Sequence, residues 1–258
     1  MQNFENADVR DVIHLFFLLD NSGSMGGAPI QTLNEAMVNT MSELKNEADR
    51  KEVTAMVHIL SFNSSVSWLC NTTSEEGVSV ENINWTDIGA TGGTDTAAAI
   101  RAILPGLSRK RLGYHAYRPI IVLITDGFSN DRSETQQAIQ ELNARQKTIN
   151  IAVGVSGYNP DELNDFASEG TVVYKDGMGN DIRTVDGAKF IFSVADAQDL
   201  AHIIQDVAIS SLRSSVLEQK SEGGENNGTE DNGEAAPMTL SIVDKSTNPV
   251  PPTPSGWI

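Results

Sequence analysis

The sequence predicts an α/β protein with a central, mostly parallel β-sheet, helices on both faces of that sheet and one short antiparallel strand. Two observations lead to this prediction. Apolar runs of strand length, such as residues 12–19 and 120–125, alternate along the chain with segments whose apolar residues recur at helical spacing. These runs are nearly continuous in apolar residues rather than alternating, which is typical of parallel strands that are buried on both faces.

The first half of the chain supplies three predicted strands and two predicted helices. After the strand at 12–19, apolar residues between positions 30 and 44 recur at helical spacing. Residues 53–62 alternate as in a strand, and residues 66–69 can pair with them across a short turn at 63–65. A second helix is predicted over residues 96–107 from its apolar residues at positions 100, 103, 104 and 107.

The second half continues the alternation. The run at 120–125 predicts a buried strand, and Ser133 with Gln136 has the spacing of a capping box at the start of a helix. Residues 149–155 predict the next strand, and Asn159-Pro160 has the N-cap and first-position residues of another helix. Apolar residues spaced between 200 and 212 predict a final helix.

Composition limits the classes of protein that need to be considered. The chain has 258 residues, 39% of them hydrophobic, and its formal net charge of −17 disfavours binding to nucleic acid, which depends on Lys and Arg. Cys70 is the single cysteine, so disulfides within the chain and four-cysteine zinc sites are excluded. The sequence has no run long enough to span a membrane and begins without a signal-peptide pattern. We therefore expect a cytoplasmic protein that does not bind membranes.

Two regions differ in composition. Residues 1–217 contain the alternating strands and helices and are predicted to be the folded domain. Residues 218–236 are acidic and nearly free of large apolar side chains, which predicts a disordered tail over 218–258. The end of this tail contains a strand-like piece and then a Pro-rich segment, which could be a docking peptide or a frayed terminus.

Oxygen-bearing side chains follow the predicted strands where each strand ends. The first strand runs into Asp20-Asn21-Ser22-Gly23-Ser24, the strand at 120–125 runs into Asp126, and Thr94 follows two glycines just before a helix. In parallel sheets the carboxyl ends of the strands meet at one edge, where ligands bind. Carboxylate and hydroxyl oxygens suit a hard divalent cation. Each fragment alone could be a helix cap, but capping needs no set spread over three loops.

Together these fragments resemble the metal-ion-dependent adhesion site of the von Willebrand factor type A domain family. Asp20, Ser22 and Ser24 match its Asp-x-Ser-x-Ser motif, Thr94 its threonine and Asp126 its last carboxylate. The resemblance covers about residues 10–213 and implies a Rossmann-like fold. It also implies that the three hydroxyls ligate Mg²⁺, with Mn²⁺ or Ca²⁺ as other candidates, while the two carboxylates can act through water. The implied function is binding of a partner protein that offers an Asp or Glu carboxylate.

Within this family, residues 20–30 are similar to the bacterial TerY-like branch of tellurium-resistance and stress systems. That branch is associated with a protein kinase and a PP2C-type protein phosphatase. The resemblance implies a cytoplasmic adaptor in such a system. Related domains also accompany AAA ATPases, so a subunit of an ATP-driven machine is the alternative.

A metal-dependent hydrolase is the less favoured class, since the sequence offers no nucleophile–base pair and we expect no enzyme activity. The four histidines share no metal-ligand spacing, and no pair of them is expected on one face, so we interpret them as structural. The basic segment 108–118 precedes a strand and is therefore placed at the opposite end of the sheet from the metal residues. It is interpreted as a solvated loop, with docking of an acidic partner or of the chain's own tail as the alternative.

Overall fold

The computed structural model describes most of the first 194 residues and two short later segments. The described ranges are 11–113, 116–145, 148–155, 158–176, 178–194, 206–210 and 238–243. Most of the predicted final helix, His115 and His202, and residues 218–237 and 244–258 of the predicted tail lie outside them.

The main sheet confirms the predicted fold class. Its strands run in the order β3–β2–β1–β5–β6–β9, and β4 pairs with a second part of β2. The neighbours β1–β2, β1–β5, β5–β6 and β6–β9 are parallel, whereas β3 and β4 lie antiparallel to β2. The strands are β1 (Val12–Asp20), β2 (Thr54–Phe62), β3 (Val66–Trp68), β4 (Val78–Ser79), β5 (Ile120–Thr125), β6 (Ile149–Val155) and β9 (Ile191–Val194).

Both faces of the main sheet are covered, which explains the uninterrupted apolar strands. On β1, Leu15 and Phe17 face one apolar cluster, while Phe16 and Leu18 face the other, and all four are fully buried. The first cluster contains the buried side of α1, and the second contains those of α2, α4 and α5. The helices are α1 (Ala28–Lys51), α2 (Thr96–Ile103), α3 (Arg109–Leu112), α4 (Arg132–Arg145) and α5 (Pro160–Phe166).

Two helix boundaries differ from the prediction. The helix expected over 96–107 ends at Ile103 and continues as a 3-10 turn over Leu104–Leu107, because Pro105 has no backbone N–H to donate to an α-helical bond. Helix α4 begins at Arg132, so the prediction that Ser133 caps it is wrong. Asp131 takes that place, since its Oδ1 accepts a hydrogen bond of 3.0 Å from the Glu134 N–H.

The predicted cap of α5 is confirmed. Asn159 precedes Pro160, and its Oδ1 accepts a hydrogen bond of 3.1 Å from the Asp161 N–H. Proline at the first position of a helix loses no hydrogen bond, because the first N–H groups have no partner within the helix.

A second, three-stranded sheet was not predicted as such. Its order is β10–β7–β8, with β7 (Glu169–Lys175), β8 (Asp181–Lys189) and β10 (Thr239–Val243). Strand β10 is the strand-like piece of the predicted tail, and it pairs parallel with β7. Residues 239–243 therefore belong to the fold, because Leu240 and Ile242 are buried in the same cluster as α1. The boundary at residue 217 otherwise stays a prediction.

None of the described helices is both long and apolar enough to cross a bilayer.

Candidate metal centre

The predicted metal residues lie where the strand order of the main sheet reverses. Strand β1 has β2 on one side and β5 on the other, although β2 follows it in the chain and β5 comes much later. Open α/β sheets bind ligands beyond the carboxyl ends of the strands at such a point. Asp20 ends β1, and Asp126 directly follows the end of β5.

Asp20 is fully buried and tied to both neighbouring loops. Its Oδ1 accepts a hydrogen bond of 2.8 Å from the Ser22 N–H, and its Oδ2 accepts one of 2.6 Å from the Thr125 hydroxyl. Thr125 in turn accepts a hydrogen bond of 3.0 Å from the Gly127 N–H. Thr125 thus positions Asp20 and the loop after β5. This role of Thr125 was not predicted from the sequence, although Thr125 immediately precedes Asp126.

Ser22 and Ser24 lie together at the first turn after β1. A 3-10 turn over Gly23–Met25 folds the chain back, and the two hydroxyl oxygens are 3.0 Å apart. Ser22 is buried, whereas Ser24 is exposed. This pair therefore presents two neighbouring hydroxyl oxygens toward the surface end of the strand.

The loop with Thr94 packs between the other two loops. The Gly23 N–H donates a hydrogen bond of 2.9 Å to the Gly92 carbonyl, which places this loop against the serine turn. Thr94 and Asn130 bond reciprocally, since the Thr94 N–H donates to Asn130 Oδ1 and the Asn130 N–H donates to the Thr94 carbonyl. Thr94 is buried at 6% exposure. The fold therefore joins the three predicted loops at one edge of the sheet.

Asp126 is half-buried, on a loop whose path depends on Gly127. Gly127 has a φ of +98°, and a Cβ there would lie 2.6 Å from the Asn159 nitrogen and 2.8 Å from the Tyr158 Cα. Only glycine tolerates both the positive φ and this approach of another backbone. The glycine that follows Asp126 is therefore required for steric reasons.

The electrostatics of Asp20 fit a bound cation. Burial raises the pKa of Asp20 above its ordinary value, and the nearby charge of Asp126 raises it further, while hydrogen bonds from Thr125 and Ser22 oppose that rise. Within the described residues, no Lys or Arg forms an ion pair with either carboxylate. A divalent cation would supply the missing positive charge, and the hydroxyl and carboxylate oxygens are its preferred ligands.

The donor set differs from a metal site built of acids and imidazoles. Over the described ranges, no three His, Cys, Asp or Glu side chains form a group that could hold a metal. The set at the sheet edge contains two carboxylates and three hydroxyls, so hydroxyl oxygens have to provide most of the ligands.

The histidines overturn one expectation. His14 and His58 do share a face of neighbouring strands, with His14 Nδ1 3.0 Å from His58 Nε2. The outer nitrogens of the pair contact backbone carbonyls, His14 Nε2 that of Leu112 at 3.1 Å and His58 Nδ1 that of Thr73 at 2.8 Å. The pairing was missed because it depends on the register between β1 and β2, which places Phe16 opposite His58.

The basic segment lies where it was predicted, before the start of β5. Its residues 109–112 form the short helix α3 rather than a loop, and Arg111 pairs with Glu75 at 2.5 Å. Both side chains are well exposed, so this pair has little effect on stability.

Comparison with curated proteins gives two partial matches. The chain is 28% identical over 163 residues to the collagen alpha-5(VI) chain of Mus musculus, across 62% of this chain and 6% of that one. It is 29% identical over 155 residues to an uncharacterized protein of Treponema pallidum (strain Nichols), across 52% of this chain and 25% of that one. The chain thus spans a quarter or less of the length of these relatives.

Solved structures share the fold at low identity. Proximal thread matrix protein 1 (PTMP1) from the mussel byssus superposes with a TM-score of 0.53 at 16% identity, over 78% of this chain and 48% of that one. The von Willebrand factor type A structure from Catenulispora acidiphila gives 0.53 at 14% identity, over 78% and 42%. PTMP1 has also been solved with a zinc-occupied MIDAS motif, and that structure gives 0.51 at 14% identity, over 78% and 46%.

A protein-family model described as the von Willebrand factor type A domain matches residues 14–206, which include all five predicted metal residues. The strand order and the placement of the loops agree with this match. The chain belongs to the von Willebrand factor type A domain family.

Proposed function

We propose that this chain binds a partner protein through a divalent cation, with Mg²⁺ as the first candidate, at the carboxyl end of the main sheet. Ser22, Ser24 and Thr94 would hold the cation through their hydroxyls, and Asp20 and Asp126 through water or directly in some states. The observation that carries this proposal is the fully buried Asp20, which lacks a cationic side chain within the described residues while hydroxyl donors surround it.

Neutral ligands are the reason that such a site would bind an acidic partner. Hydroxyl oxygens leave most of a cation's charge available, so the bound cation would attract an external carboxylate. The three loops, residues 20–28, 89–95 and 126–131, contain no Lys or Arg. Without the cation, these loops could not attract a carboxylate. A partner Asp or Glu would therefore bind only to the metal-loaded protein.

The comparisons support a divalent cation at this position. The MIDAS motif of PTMP1 holds zinc in one solved structure, and PTMP1 shares the fold described above. Oxygen ligands suit a hard cation such as Mg²⁺, which is why Mg²⁺ is the first candidate for this chain.

For the biological setting, we propose an adaptor role of the TerY-like kind. Its support is the similarity of residues 20–30, from the metal-binding serines to the start of α1. The proposed partners are a protein kinase and a PP2C-type phosphatase in a bacterial stress system.

Metal titration tests the first step of the proposal. We expect the purified full chain to bind Mg²⁺ with one site in isothermal titration calorimetry, and Asp126→Ala to lose most of that affinity. Asp161→Ala is the matched control, because Asp161 lies in the first turn of α5 and its carboxylate is exposed. Equal Mg²⁺ binding by Asp126→Ala and the wild-type protein would refute the proposed site.

Affinity capture from a lysate of the source cells tests the second step. The wild-type chain is expected to retain a partner in Mg²⁺ and to release it in EDTA, and Asp126→Ala to retain none in either buffer. A partner that stays bound in EDTA contradicts the metal-dependent contact.

A further inference from the structure

Phe128 stands out from the other exposed apolar residues by its position. Large apolar side chains are well exposed at Val38, Phe128, Met178 and Ile182 among the described residues. Val38 lies on α1, Met178 in the turn between β7 and β8, and Ile182 on β8. Phe128 alone belongs to a loop of the candidate metal centre, two residues after Asp126, and it is 63% exposed.

Hydrogen bonds fix the loop backbone on both sides of Phe128. The exposed position of Phe128 is therefore set by the fold. Before it, the Gly127 N–H bonds to Thr125. After it, the Ser129 N–H donates a hydrogen bond of 3.1 Å to Glu162 Oε2, and Asn130 bonds to Thr94 in both directions. A loop backbone held in place in this way loses little conformational entropy when a partner packs on it.

The three loops around Phe128 carry acidic side chains but no basic ones. Apart from Asp131 and Phe128, their exposed residues are small or neutral: Gly23, Ser24, Gly26, Gly27, Ala28, Gly89, Thr91, Gly92 and Asn130. Such a surface gives an acidic partner no positive charge to pair with beside the cation. An apolar side chain next to the partner's carboxylate could instead cover Phe128, and exposed aromatic rings are frequent centres of binding energy.

We propose that Phe128 is a specificity-determining contact, which selects partner segments whose metal-binding Glu or Asp has a large apolar neighbour. This inference rests on the proposed function, since the carboxylate must reach the cation for the apolar neighbour to reach the ring. The occupant is a segment of a partner protein, with one acidic residue flanked by a residue such as Leu.

Four synthetic peptides test the inference on the full-length chain. They have Glu or Gln at the centre and either Leu or Ser on both sides of it, and binding in Mg²⁺ is followed by ¹H–¹⁵N NMR titration. On the wild-type chain, we expect the Glu–Leu peptide to bind about tenfold or more tightly than the Glu–Ser peptide, from the apolar area covered. The backbone signals of residues 126–130 should shift most.

Variants of Phe128 distinguish the effect of its ring on peptide binding from an effect on metal binding. Phe128→Ser should bind the Glu–Leu and Glu–Ser peptides alike, while Phe128→Leu should keep most of the preference. Met178→Ser is the matched control, because Met178 is 86% exposed in a different part of the molecule. Unchanged Mg²⁺ binding and circular dichroism of Phe128→Ser would show that the variant is folded and its metal centre intact.

The outcomes distinguish this inference from the proposed function. Equal binding of the two Glu peptides to the wild-type chain, together with weaker binding of the Gln peptides, overturns the role of Phe128 and leaves metal-dependent binding standing. Glu and Gln peptides that bind alike, or no binding up to about 1 mM, overturn both.

Discussion

Strand β1 has a buried polar cluster near each end, and the two clusters have opposite electrostatic needs. At the carboxyl end, Asp20 is fully buried but borders loops that expose Ser24 and leave Asp126 half-exposed. Near the start, His14 and His58 are 7% and 1% exposed, and they are enclosed between the backbone carbonyls of other segments. Burial alone therefore does not define a binding site. A buried polar group can bind a ligand only where the adjoining loops admit one.

The histidine pair lies in surroundings that disfavour a positive charge on either ring. His58 stacks on Phe16, with ring centroids 4.0 Å apart, and a Cβ on Gly77 would lie 2.6 Å from His58 Nε2. Burial lowers the pKa of both histidines, that of His58 to about 4. Two neutral imidazoles carry two N–H groups for three contacts, so one contact is without a proton. The cluster at Asp20 lacks a positive charge, whereas this one excludes it.

The largest expected effect on stability comes from adding a side chain at Gly127, in the loop that follows β5. Gly127→Ala combines a positive φ with a backbone clash, and we expect it to lower the free energy of unfolding by about 3 kcal/mol or more. Gly179→Ala is the control, because Gly179 has a φ of +86° but an added Cβ there would meet nothing within 4 Å, which predicts a loss of about 1 kcal/mol. Chemical denaturation measures both. Equal losses would mean that the contact with Tyr158 and Asn159 does not shape the loop.

The second prediction separates the charge of Asp20 from its hydrogen bonds. Asp20→Asn keeps the shape and can still bond to Ser22 and Thr125, but it removes a buried charge. We expect it to raise the metal-free unfolding free energy by roughly 1 kcal/mol and to weaken Mg²⁺ binding about 100-fold. Denaturation with and without Mg²⁺ measures both effects. A variant that Mg²⁺ stabilises as much as the wild-type protein would contradict a role for this charge.

The third prediction concerns pH at the histidine pair. The pKa of His58 is lower in the folded protein, about 4, than its ordinary value of 6.5, so the unfolded chain binds more protons between these values. Its stabilising contribution is complete above pH 6.5 and is lost as the pH falls toward 4. Between pH 6.5 and 5, we expect about 2 kcal/mol less stability.

Replacing His58 tests this origin of the pH dependence. His58→Phe retains an aromatic ring against Phe16 but cannot titrate, so its stability should be lower at pH 7 and change less between pH 7 and 5. NMR titration of the wild-type chain should show the His58 ring signal unchanged down to pH 5. A slope as steep in the variant as in the wild-type protein would assign the pH dependence to other groups.

The smallest effect on stability is expected at the exposed edge of the metal centre. Ser24 is exposed, but its hydroxyl bonds to that of Ser22, so Ser24→Ala should lower the unfolding free energy by about 0.5 to 1 kcal/mol. Mg²⁺ affinity should fall about tenfold, because one of the proposed ligands is lost. Ser22→Ala is the comparison, since Ser22 is buried and its loss should affect both stability and Mg²⁺ binding. Calorimetry that shows full affinity for Ser24→Ala would remove Ser24 from the proposed ligands.

Local patterns were sufficient for most of the main sheet. The apolar runs of β1, β5 and β6 and the helical spacing of α1 match the structure. Each of these patterns lies within a single strand or helix, so it can be recognised without knowing the rest of the fold. The predicted cap of α5 is correct because it also depends on a short local pattern. The cap of α4 is Asp131 instead of the predicted Ser133, because both residue types can cap a helix and they lie only two positions apart.

The second sheet shows where local patterns were insufficient. Strands β7 and β8 have partly exposed, irregular sequences, and their pairing contains register shifts between Gly170 and Val172 and between Tyr174 and Lys175. Strand β10 comes more than sixty residues after β7 in the chain, and its pairing depends on burial of Leu240 and Ile242 in a distant cluster. No period within a short segment encodes such a contact.

By itself, the sequence determined the alternation of strands and helices, the family, and the loops that carry Asp20, Ser22, Ser24, Thr94 and Asp126, because these depend on residue type and short spacing. Only the tertiary structure decided that Thr125 holds Asp20, that His14 meets His58, and that Phe128 stays exposed beside the metal loops. The register between strands and the packing of one loop on another set these contacts. They join residues far apart in the chain, which no local pattern can specify.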